Sequence, residues 1–389
     1  MPVVAGAVIG WAAWGYGLTP LAALFFLVWG AAGSKRIAYL TAFAYYLAGS
    51  RVIPNAAAVF FGENTSLWLG VALWLTAGAL LALPWGLLHT SSPRLKDRAW
   101  RMVAALALVT LPPLGFVGWL NPILGTALIV PGWGAVSLLI GLVLALWLAT
   151  LPTRRSAFST ALAVTLIALV SLIGQAPTKG YDGWAGVTTH AGKMPIAHEE
   201  RLIRFSETES LVKATLKDTH TRVVVLPEQH LGDFNKNTRH AMTFMLADTL
   251  KARGATVLIG AAWPTGEAYK TSNALMVFDG ETWTPIHARF AVPVSMWKPW
   301  ADDSTVINPT DLRIFTVAGK KVHVSMCFED YMPWFHLGVL LRNERPDLIV
   351  ASANGWWVRE GKAQAIQDEH IQAWARIFDL PLVRAVNAS

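Results

Sequence analysis

The chain is poor in cysteine and in charge. Its 389 residues include a single cysteine, so no intramolecular disulfide can stabilise it, even in an oxidising compartment. Charged residues make up 15% of the sequence and hydrophobic residues 54%, which departs strongly from the composition of ordinary soluble domains. This balance indicates that a large part of the chain is not a soluble globular domain.

Several function classes lack their sequence signatures. The ten histidines form no H-E-x-x-H or other ligand-spaced pair, so we expect no metal and no other cofactor. No G-x-S-x-G segment is present, which argues against a serine lipase. The segment GVTTHAGKM (186–194) has neither the glycine spacing nor the Ser or Thr of a P-loop. The net charge of +7 is not gathered into a basic stripe, so nucleic acid is not expected as a partner.

The charged residues lie mostly in the C-terminal half. Residues 1–174 are almost free of charge outside short clusters, whereas residues 175–389 have a soluble-type composition. We therefore predict a polytopic α-helical transmembrane domain over 1–174, followed by a globular domain over 175–389. A membrane helix needs about 20 apolar residues. The apolar segments, about seven in number, lie at residues 3–16, 20–32, 37–49, 66–88, 99–118, 133–150 and 157–174.

Positive charge in the loops predicts the orientation of these segments. Basic loops stay in the cytoplasm, and the basic clusters follow the second, fourth and sixth segments. They consist of Lys35 and Arg36, of Arg94, Lys96, Arg98 and Arg101, and of Arg154 and Arg155. Seven crossings then place the globular domain on the periplasmic side of a bacterial inner membrane. The first segment lacks a basic leading region and an A-x-A cleavage site, so we expect no removed signal peptide.

The globular half alternates between short β runs and helical stretches, which predicts an α/β sheet packed on helices. Predicted strands lie near 184–189, 222–227, 255–260, 273–278, 282–287, 312–317, 321–326 and 347–352, with a last strand running to the C-terminus. Predicted helices lie at 205–217, 238–252, 332–343 and 363–378.

The only cysteine ends one of these strands. In KVHVSMCFEDYMPWF (321–335), Cys327 follows an alternating apolar run and precedes Glu329, Asp330 and a Pro-Trp turn. The order strand, nucleophile, turn and helix is the geometry that lifts a side chain out of a sheet edge. Cys327 is therefore a candidate nucleophile, and the alternative is a small buried apolar residue.

Five motifs follow one another in the globular half: VVVLPEQHL (223–231), SMCFED (325–330), VASANGWW (350–357), QDEHIQAWAR (367–376) and PLVRAVN (381–387). In this order they resemble the nitrilase (carbon–nitrogen hydrolase) superfamily, and the multi-span N-terminal half narrows the resemblance to the arrangement of apolipoprotein N-acyltransferase. The segment VPVSMWKPW (292–300) looks closer to the TraB-type conjugal transfer proteins of plasmids. The resemblance covers essentially the whole chain and implies a nitrilase-like αββα sandwich.

The resemblance also implies the roles of individual residues. In this superfamily a cysteine attacks an acyl carbonyl to form a thioester, and a glutamate takes the thiol proton. Cys327 and Glu228 match these two residues, and we expect them within hydrogen-bonding reach. Glu329 matches a supporting acid, with a charge at a helix N-terminus as the alternative. Asn354 and Trp356 match residues that line the pocket, with a strand-end turn and interface packing as the alternative.

The lysine of the family's Glu–Lys–Cys triad is missing. Counting back from the Val-Pro pair at 292–293 places it at Ala288, and the neighbouring Arg289 would face the other side of a strand. Losing such an oxyanion donor costs roughly two to three orders of magnitude in rate. Either the lysine has been substituted to inactivate the protein, or this branch has diverged from acyltransferase chemistry. We expect the uncompensated acids Glu228 and Glu329 to raise the pKa of Cys327.

Two function classes remain open. The first is a cysteine-dependent acyltransferase or amidase that supports plasmid conjugal transfer or, alternatively, lipoprotein maturation. The second is a catalytically impaired scaffold of the conjugation apparatus. The resemblance implies membrane lipids as partners, with a phospholipid as acyl donor and a lipoprotein or a pilus or transfer protein as acceptor. Because the superfamily fold continues past the R-x-x-N segment, the end at Ser389 indicates a smaller sheet or a truncated chain.

Overall fold

The computed structural model describes residues 1–61, 67–92, 94–151, 157–173, 176–195, 197–267, 270–342, 344–357 and 362–388. The chain divides into two compact units. Unit 1 comprises residues 1–178, 331–341 and 360–379, and unit 2 comprises residues 179–330, 342–359 and 380–389. The boundary between the units at residue 178 lies four residues beyond the predicted boundary at 174. Residues 331–341 and 360–379 of the C-terminal half belong to unit 1.

Unit 1 is built from helices. Its helices are α1 (Pro2–Ala13), α2 (Leu24–Gly30), α3 (Lys35–Gly49), α4 (Ile53–Phe61), α5 (Leu67–Leu87), α6 (Leu95–Thr110), α7 (Ile123–Ala127), α8 (Ala135–Thr150), α9 (Ala157–Ile173), α12 (Pro333–Leu340) and α13 (Lys362–Phe378). Each predicted apolar segment coincides at least in part with a helix. The segment predicted to run to residue 118 ends at Thr110 instead, because Pro112 and Pro113 follow and proline cannot continue a helix.

The lengths of these helices bear on the membrane prediction. Among the described residues one helix, Leu67–Leu87, is both long and apolar enough to cross a membrane. Shorter apolar helices lie at Pro2–Ala13, Thr19–Gly30, Ala135–Thr150 and Leu162–Ile173. The multi-span arrangement therefore stays a prediction.

Aromatic side chains fill the interior of unit 1, and several of their polar atoms form buried hydrogen bonds. Trp14 Nε1 donates to the Tyr45 hydroxyl at 3.0 Å, and this hydroxyl donates to the Leu120 carbonyl oxygen at 3.0 Å. Trp85 Nε1 donates to the Tyr46 hydroxyl at 3.1 Å. Large aromatic rings supply the buried area, and these hydrogen bonds offset the cost of burying their polar ends.

Helix α13 shows why part of the C-terminal half belongs to unit 1. The Glu369 carboxylate accepts hydrogen bonds from the backbone N–H groups of Gly15 at 2.7 Å and Gly17 at 2.5 Å. The next residue, His370, accepts from the Leu120 N–H through Nε2 at 2.9 Å. These bonds join α13 to the loop after α1 and to the chain before α7.

The described residues of unit 2 form two helices and ten strands. The helices are α10 (His198–Thr215) and α11 (Lys236–Arg253). The strands are β1 (Trp184–Gly186), β2 (Thr188–Thr189), β3 (Val223–Val225), β4 (Thr256–Pro264), β5 (Thr271–Phe278), β6 (Trp283–His287), β7 (Phe315–Val317), β8 (Lys320–Met326), β9 (Leu348–Asn354) and β10 (Leu382–Asn387). The run 184–189, predicted as one strand, is two strands that belong to different sheets.

The strands form two five-stranded sheets. The first sheet has the order β1-β3-β4-β5-β6, and the second has the order β2-β10-β9-β8-β7. In the first sheet β1, β3 and β4 are parallel, whereas β5 and β6 are antiparallel to their neighbours. In the second sheet β2, β10, β9 and β8 are parallel and β7 is antiparallel.

Buried side chains join these elements into layers. One apolar cluster contains residues of both sheets, such as Val225, Leu258, Val324 and Val350. A second cluster joins the first sheet to α10 and α11. The α/β fold of the globular half is thereby confirmed, and one helical layer and both sheets of the predicted sandwich lie within unit 2. Helices α12 and α13, which follow strands of the second sheet in sequence, belong to unit 1.

Candidate active site

Cys327 lies where β8 ends and a short 3₁₀ helix, Cys327–Tyr331, begins. Its side chain is 8% exposed and its φ angle is 49°. A positive φ is uncommon for a residue other than glycine, and such strain concentrates at functional sites. The sharp turn at a strand end is the local geometry that the sequence predicts for a nucleophile.

Glu228 lies in the turn that follows β3, and β4 packs directly against this turn. Gly260 of β4 donates to the Pro227 carbonyl oxygen at 3.1 Å and accepts from the Leu231 N–H at 3.0 Å. A Cβ atom at Gly260 would lie 2.3 Å from the Pro227 oxygen and 2.4 Å from Glu228 Cα. Glycine is therefore required here for the Glu228 turn to approach the strand.

The structure brings Glu228 and Cys327 together, as expected. The thiol donates a hydrogen bond to the Glu228 carboxyl group, and Glu228 is 3% exposed. The carboxyl oxygen Oε1 also accepts from Asn273 Nδ2 on β5 at 2.5 Å. Asn273 was not predicted as a site residue from the sequence, although it is a polar residue within an apolar strand (TSNALMVF).

Burial governs the protonation of both groups. The pKa of Glu228 is raised to about 7, mainly by desolvation and further by the charges of Asp330 and Glu329, against the hydrogen bonds from Cys327 and Asn273. The pKa of the Cys327 thiol is raised well above its ordinary value by desolvation, then by the charge and hydrogen bond of Glu228, while the Asn354 N–H opposes the rise. Near neutral pH the pair is therefore a thiol beside a carboxyl group that can accept its proton.

Glu329 is fully buried and connects the end of β8 to the chain after β6. Its carboxylate accepts from the backbone N–H groups of Met326 at 2.9 Å, of Phe290 at 3.1 Å and of Arg289. Burial raises the pKa of Glu329, and the Arg289 charge and these three N–H groups oppose the rise. The contacts give Glu329 the geometry of a support for the Cys327 turn. Asp330, not Glu329, is the second acid whose charge raises the pKa of the Cys327 thiol.

Asp330 is paired with an arginine that lies far along the chain. Its carboxylate accepts from Arg384 Nη1 at 2.8 Å and from Ser325 Oγ at 2.6 Å. Arg384 is the arginine of the PLVRAVN motif on β10, and β10 lies two strands from β8 in the second sheet. Both residues lie in motifs that can be recognised in the sequence, but their pairing depends on the strand order.

Neither position 288 nor position 289 supplies a cation to Glu228 or Cys327. Ala288 is 5% exposed and packs in the apolar cluster between the sheets. The Arg289 guanidinium donates to the carbonyl oxygens of Asp311, Val324 and Arg313, each at 3.0 Å. Arg289 is therefore held by backbone groups, consistent with the expectation that it faces away from the lysine position.

The two predicted pocket residues lie at and beyond the end of β9. The Asn354 N–H donates to the Cys327 sulfur, and Asn354 Oδ1 accepts from Asn387 Nδ2 at 2.9 Å. Trp356 is half-buried, and Lys193 Nζ lies 5.9 Å from its ring centroid. The structure thus brings Asn354 to the thiol, whereas Trp356 makes a cation–π contact with Lys193.

Comparison with known proteins decides the family. No protein-family model matches the chain. The chain is 31% identical to the probable conjugal transfer protein TraB of Sinorhizobium fredii, over 99% of this chain and 97% of the relative. It belongs to the TraB family of conjugal transfer proteins. The TraB protein of Agrobacterium fabrum is 29% identical, over 99% of this chain and 91% of the relative.

Two solved structures of low sequence identity are similar in part to this TraB family member. A carbon–nitrogen hydrolase from Helicobacter pylori is 12% identical over 52% of this chain and 72% of its own, with a TM-score of 0.41. An amidase from Nesterenkonia sp. is 12% identical over 55% of this chain and 77% of its own, with a TM-score of 0.38.

The raised pKa of Glu228 predicts how stability depends on pH in this TraB family member. Between an ordinary pKa of 4.5 and the folded value of about 7, the folded chain keeps a proton that the unfolded chain releases. The contribution of Glu228 to the free energy of unfolding is therefore most favourable below pH 4.5 and falls by up to roughly 3 kcal/mol as pH rises to 7. Glu228→Gln removes this dependence, so its melting temperature should rise relative to wild type between pH 5 and pH 8.

The measurement is thermal unfolding of the intact detergent-solubilised chain at both pH values. Glu281→Gln, at a side chain that is 72% exposed, serves as the control and should follow the wild type. A constant difference between Glu228→Gln and wild type across the two pH values would contradict the assignment of Glu228 as the titrating group.

Proposed function

We propose that this protein is an inner-membrane, cysteine-dependent acyltransferase or amidase that supports plasmid conjugal transfer. The observation that carries the proposal is the buried hydrogen bond between Cys327 and Glu228 at the ends of two strand segments. A nucleophile with a base in hydrogen-bonding reach is the arrangement that covalent acyl transfer needs. The names of the two TraB relatives supply the link to conjugal transfer.

The proposed reaction has two steps. As Cys327 Sγ attacks an acyl carbonyl carbon, the Glu228 carboxylate takes the thiol proton. Glu228 then gives this proton to the leaving alkoxide or amine, the carbonyl–oxygen or carbonyl–nitrogen bond breaks, and a thioester forms. In the second step Glu228 removes a proton from an acceptor amine or water, which attacks the thioester and restores the thiol when the proton returns to sulfur.

A second function is favoured by the residue at position 288. Ala288 stands where the resembled superfamily has its lysine, and its side chain packs among apolar residues. Without that cation, the tetrahedral oxyanion loses a donor that is worth roughly two to three orders of magnitude in rate. A protein that keeps the fold but serves as a scaffold of the conjugation apparatus is therefore the alternative.

The surface of unit 1 supports the membrane location. Large apolar side chains on separate helices lie open, among them Leu83 at 45%, Leu139 at 61% and Leu172 at 73% exposure. Apolar helix faces of this kind suit lipid, since in water they mark interaction sites or cause aggregation. The interior shows the close helix packing typical of membrane proteins, because a Cβ atom at Gly10 would lie 2.2 Å from the Tyr45 carbonyl oxygen.

The membrane location implies the substrates. A phospholipid is the proposed acyl donor, because its ester carbonyl groups lie at the membrane surface. The acceptor is the amine of a lipoprotein or of a pilus or transfer protein at the same surface. Maturation of lipoproteins in general, as by apolipoprotein N-acyltransferase, is the related alternative, and it differs in having acceptors that are not restricted to transfer proteins.

The frequency of plasmid transfer distinguishes the proposed enzyme from the proposed scaffold. In donor cells whose only copy of the gene carries Cys327→Ala, we expect the transfer frequency to fall by roughly two orders of magnitude or more, because removing a nucleophile abolishes covalent catalysis. Ser272→Ala, a buried polar position on β5, is the control and should transfer normally. Normal transfer by Cys327→Ala at wild-type protein levels would reject the enzyme and favour the scaffold.

The orientation is tested by reporter fusions. The basic clusters predict that residues 175–389 lie in the periplasm, so alkaline phosphatase fused after residue 180 should be active. A fusion of the same reporter after residue 91, next to the basic cluster predicted to lie in the cytoplasm, should be inactive. The opposite pattern would overturn the topology.

A further inference from the structure

We infer that Asn273 is the positioning residue for Glu228: its carboxamide fixes one carboxyl oxygen and keeps the other side of the group available to the Cys327 proton. This role rests on the proposed function, in which Glu228 is the base. Asn273 itself touches no reacting atom in the proposed steps. It acts by holding the group that does.

The contacts of the carboxamide leave it one orientation. Asn273 is 2% exposed, and its Oδ1 accepts a hydrogen bond from Gln229 Nε2 at 3.2 Å. Because the ionised Glu228 carboxylate can only accept, the Asn273 NH₂ group must face Glu228, and the Asn273 oxygen then faces Gln229. Nδ2 donates to Glu228 Oε1 at 2.5 Å. The amide therefore serves Glu228 as a donor.

The strand register places Asn273 beside the lysine position. The Ala288 N–H donates to the Asn273 carbonyl oxygen at 2.7 Å, so the two residues are neighbours across β5 and the end of β6. Side chains alternate along a strand, and Asn273 shares the face of Leu275, which packs between the two sheets. Asn273 thus supplies a neutral donor next to the place where the resembled superfamily has a cation.

The charges around Glu228 show why a donor matters here. The groups that shift its pKa are the Cys327 thiol and the Asn273 amide, which are hydrogen-bonded to it, and the charges of the Asp330 and Glu329 carboxylates. The Arg384 charge is paired with Asp330, and the Arg289 charge acts on Glu329. Desolvation and the two acids raise the pKa of Glu228, whereas Asn273 lowers it. Asn273 therefore helps to keep Glu228 ionisable near neutral pH.

The experiment is the pH dependence of thiol alkylation by iodoacetamide on the full chain in detergent. Cys327 is the only cysteine, so the labelled mass reports on this site alone. Because the pKa of the thiol is raised well above its ordinary value, alkylation near neutral pH needs the Glu228 carboxylate to take the thiol proton. The rate should therefore rise with the ionisation of Glu228, with an inflection near pH 7. In Asn273→Leu, which is close in size but cannot donate, the inflection should move up by about one to two pH units, the worth of a hydrogen bond to a charged group.

Two further variants keep the test decisive. Ser272→Ala lies on the same strand, is similarly buried and points to the opposite face, where Ser272 contacts His287; its inflection should equal the wild-type value. Gln229→Asn shortens the side chain that contacts the Asn273 amide. Asparagine also adopts the φ angle of 56° at this position more readily than most residues. This variant should give a smaller shift in the same direction, and it provides the result if Asn273→Leu does not fold.

An inflection unchanged in Asn273→Leu, or moved equally in Ser272→Ala, would overturn the positioning role. If Asn273→Leu does not fold, an unchanged Gln229→Asn profile would overturn it equally. The labelling does not depend on turnover. If the inflection shifts in Asn273→Leu but the protein forms no acyl intermediate, the proposed enzyme is rejected and the positioning of Glu228 by Asn273 is retained. If an acyl intermediate forms but the inflection does not shift, only the positioning role of Asn273 is rejected.

Discussion

The site depends on one interaction, a hydrogen bond between a thiol and a carboxyl group that are both removed from water. In water the carboxyl group would be ionised at neutral pH and the thiol would be mostly protonated. Burial raises the pKa of both groups, and it brings the Glu228 value to about 7. The base thereby comes close to the pH at which proton transfer is most useful, but the thiol becomes harder to ionise.

The surrounding structure is arranged to hold this pair. Gly260 allows the Glu228 turn to approach β4, and Glu329 connects the Cys327 turn to the chain after β6 by three backbone N–H groups. Asp330 is compensated by Arg384. These contacts join the Glu228 turn and the Cys327 turn to strands of the two sheets or to the chain that follows a strand, so the sheets set the geometry of the pair.

Much of the candidate site could be predicted from the sequence, because the ends of strands can be recognised where a run of apolar residues stops. Cys327 follows an alternating apolar run and Glu228 follows VVVLP, and both lie where those patterns place them. Asn273 could not be assigned, because one polar residue in an apolar strand does not reveal which neighbour it faces. The pairing of Asp330 with Arg384 depends on the order of β8, β9 and β10. The grouping of α13 with unit 1 depends on contacts between distant parts of the sequence. One of them is the hydrogen bond from the Gly15 N–H to the Glu369 carboxylate, two residues that are 354 positions apart.

The absence of the lysine at position 288 decides how far the chemistry extends, and intact-mass spectrometry of the purified chain tests this most directly. The chain is incubated with phospholipid vesicles and quenched in acid, which preserves a thioester. We expect an acyl adduct on Cys327 in the wild type, none in Cys327→Ala, and faster formation in Ala288→Lys than in the uncharged control Ala288→Met. If neither the wild type nor Ala288→Lys forms an adduct, Cys327 is not an acyl-accepting nucleophile.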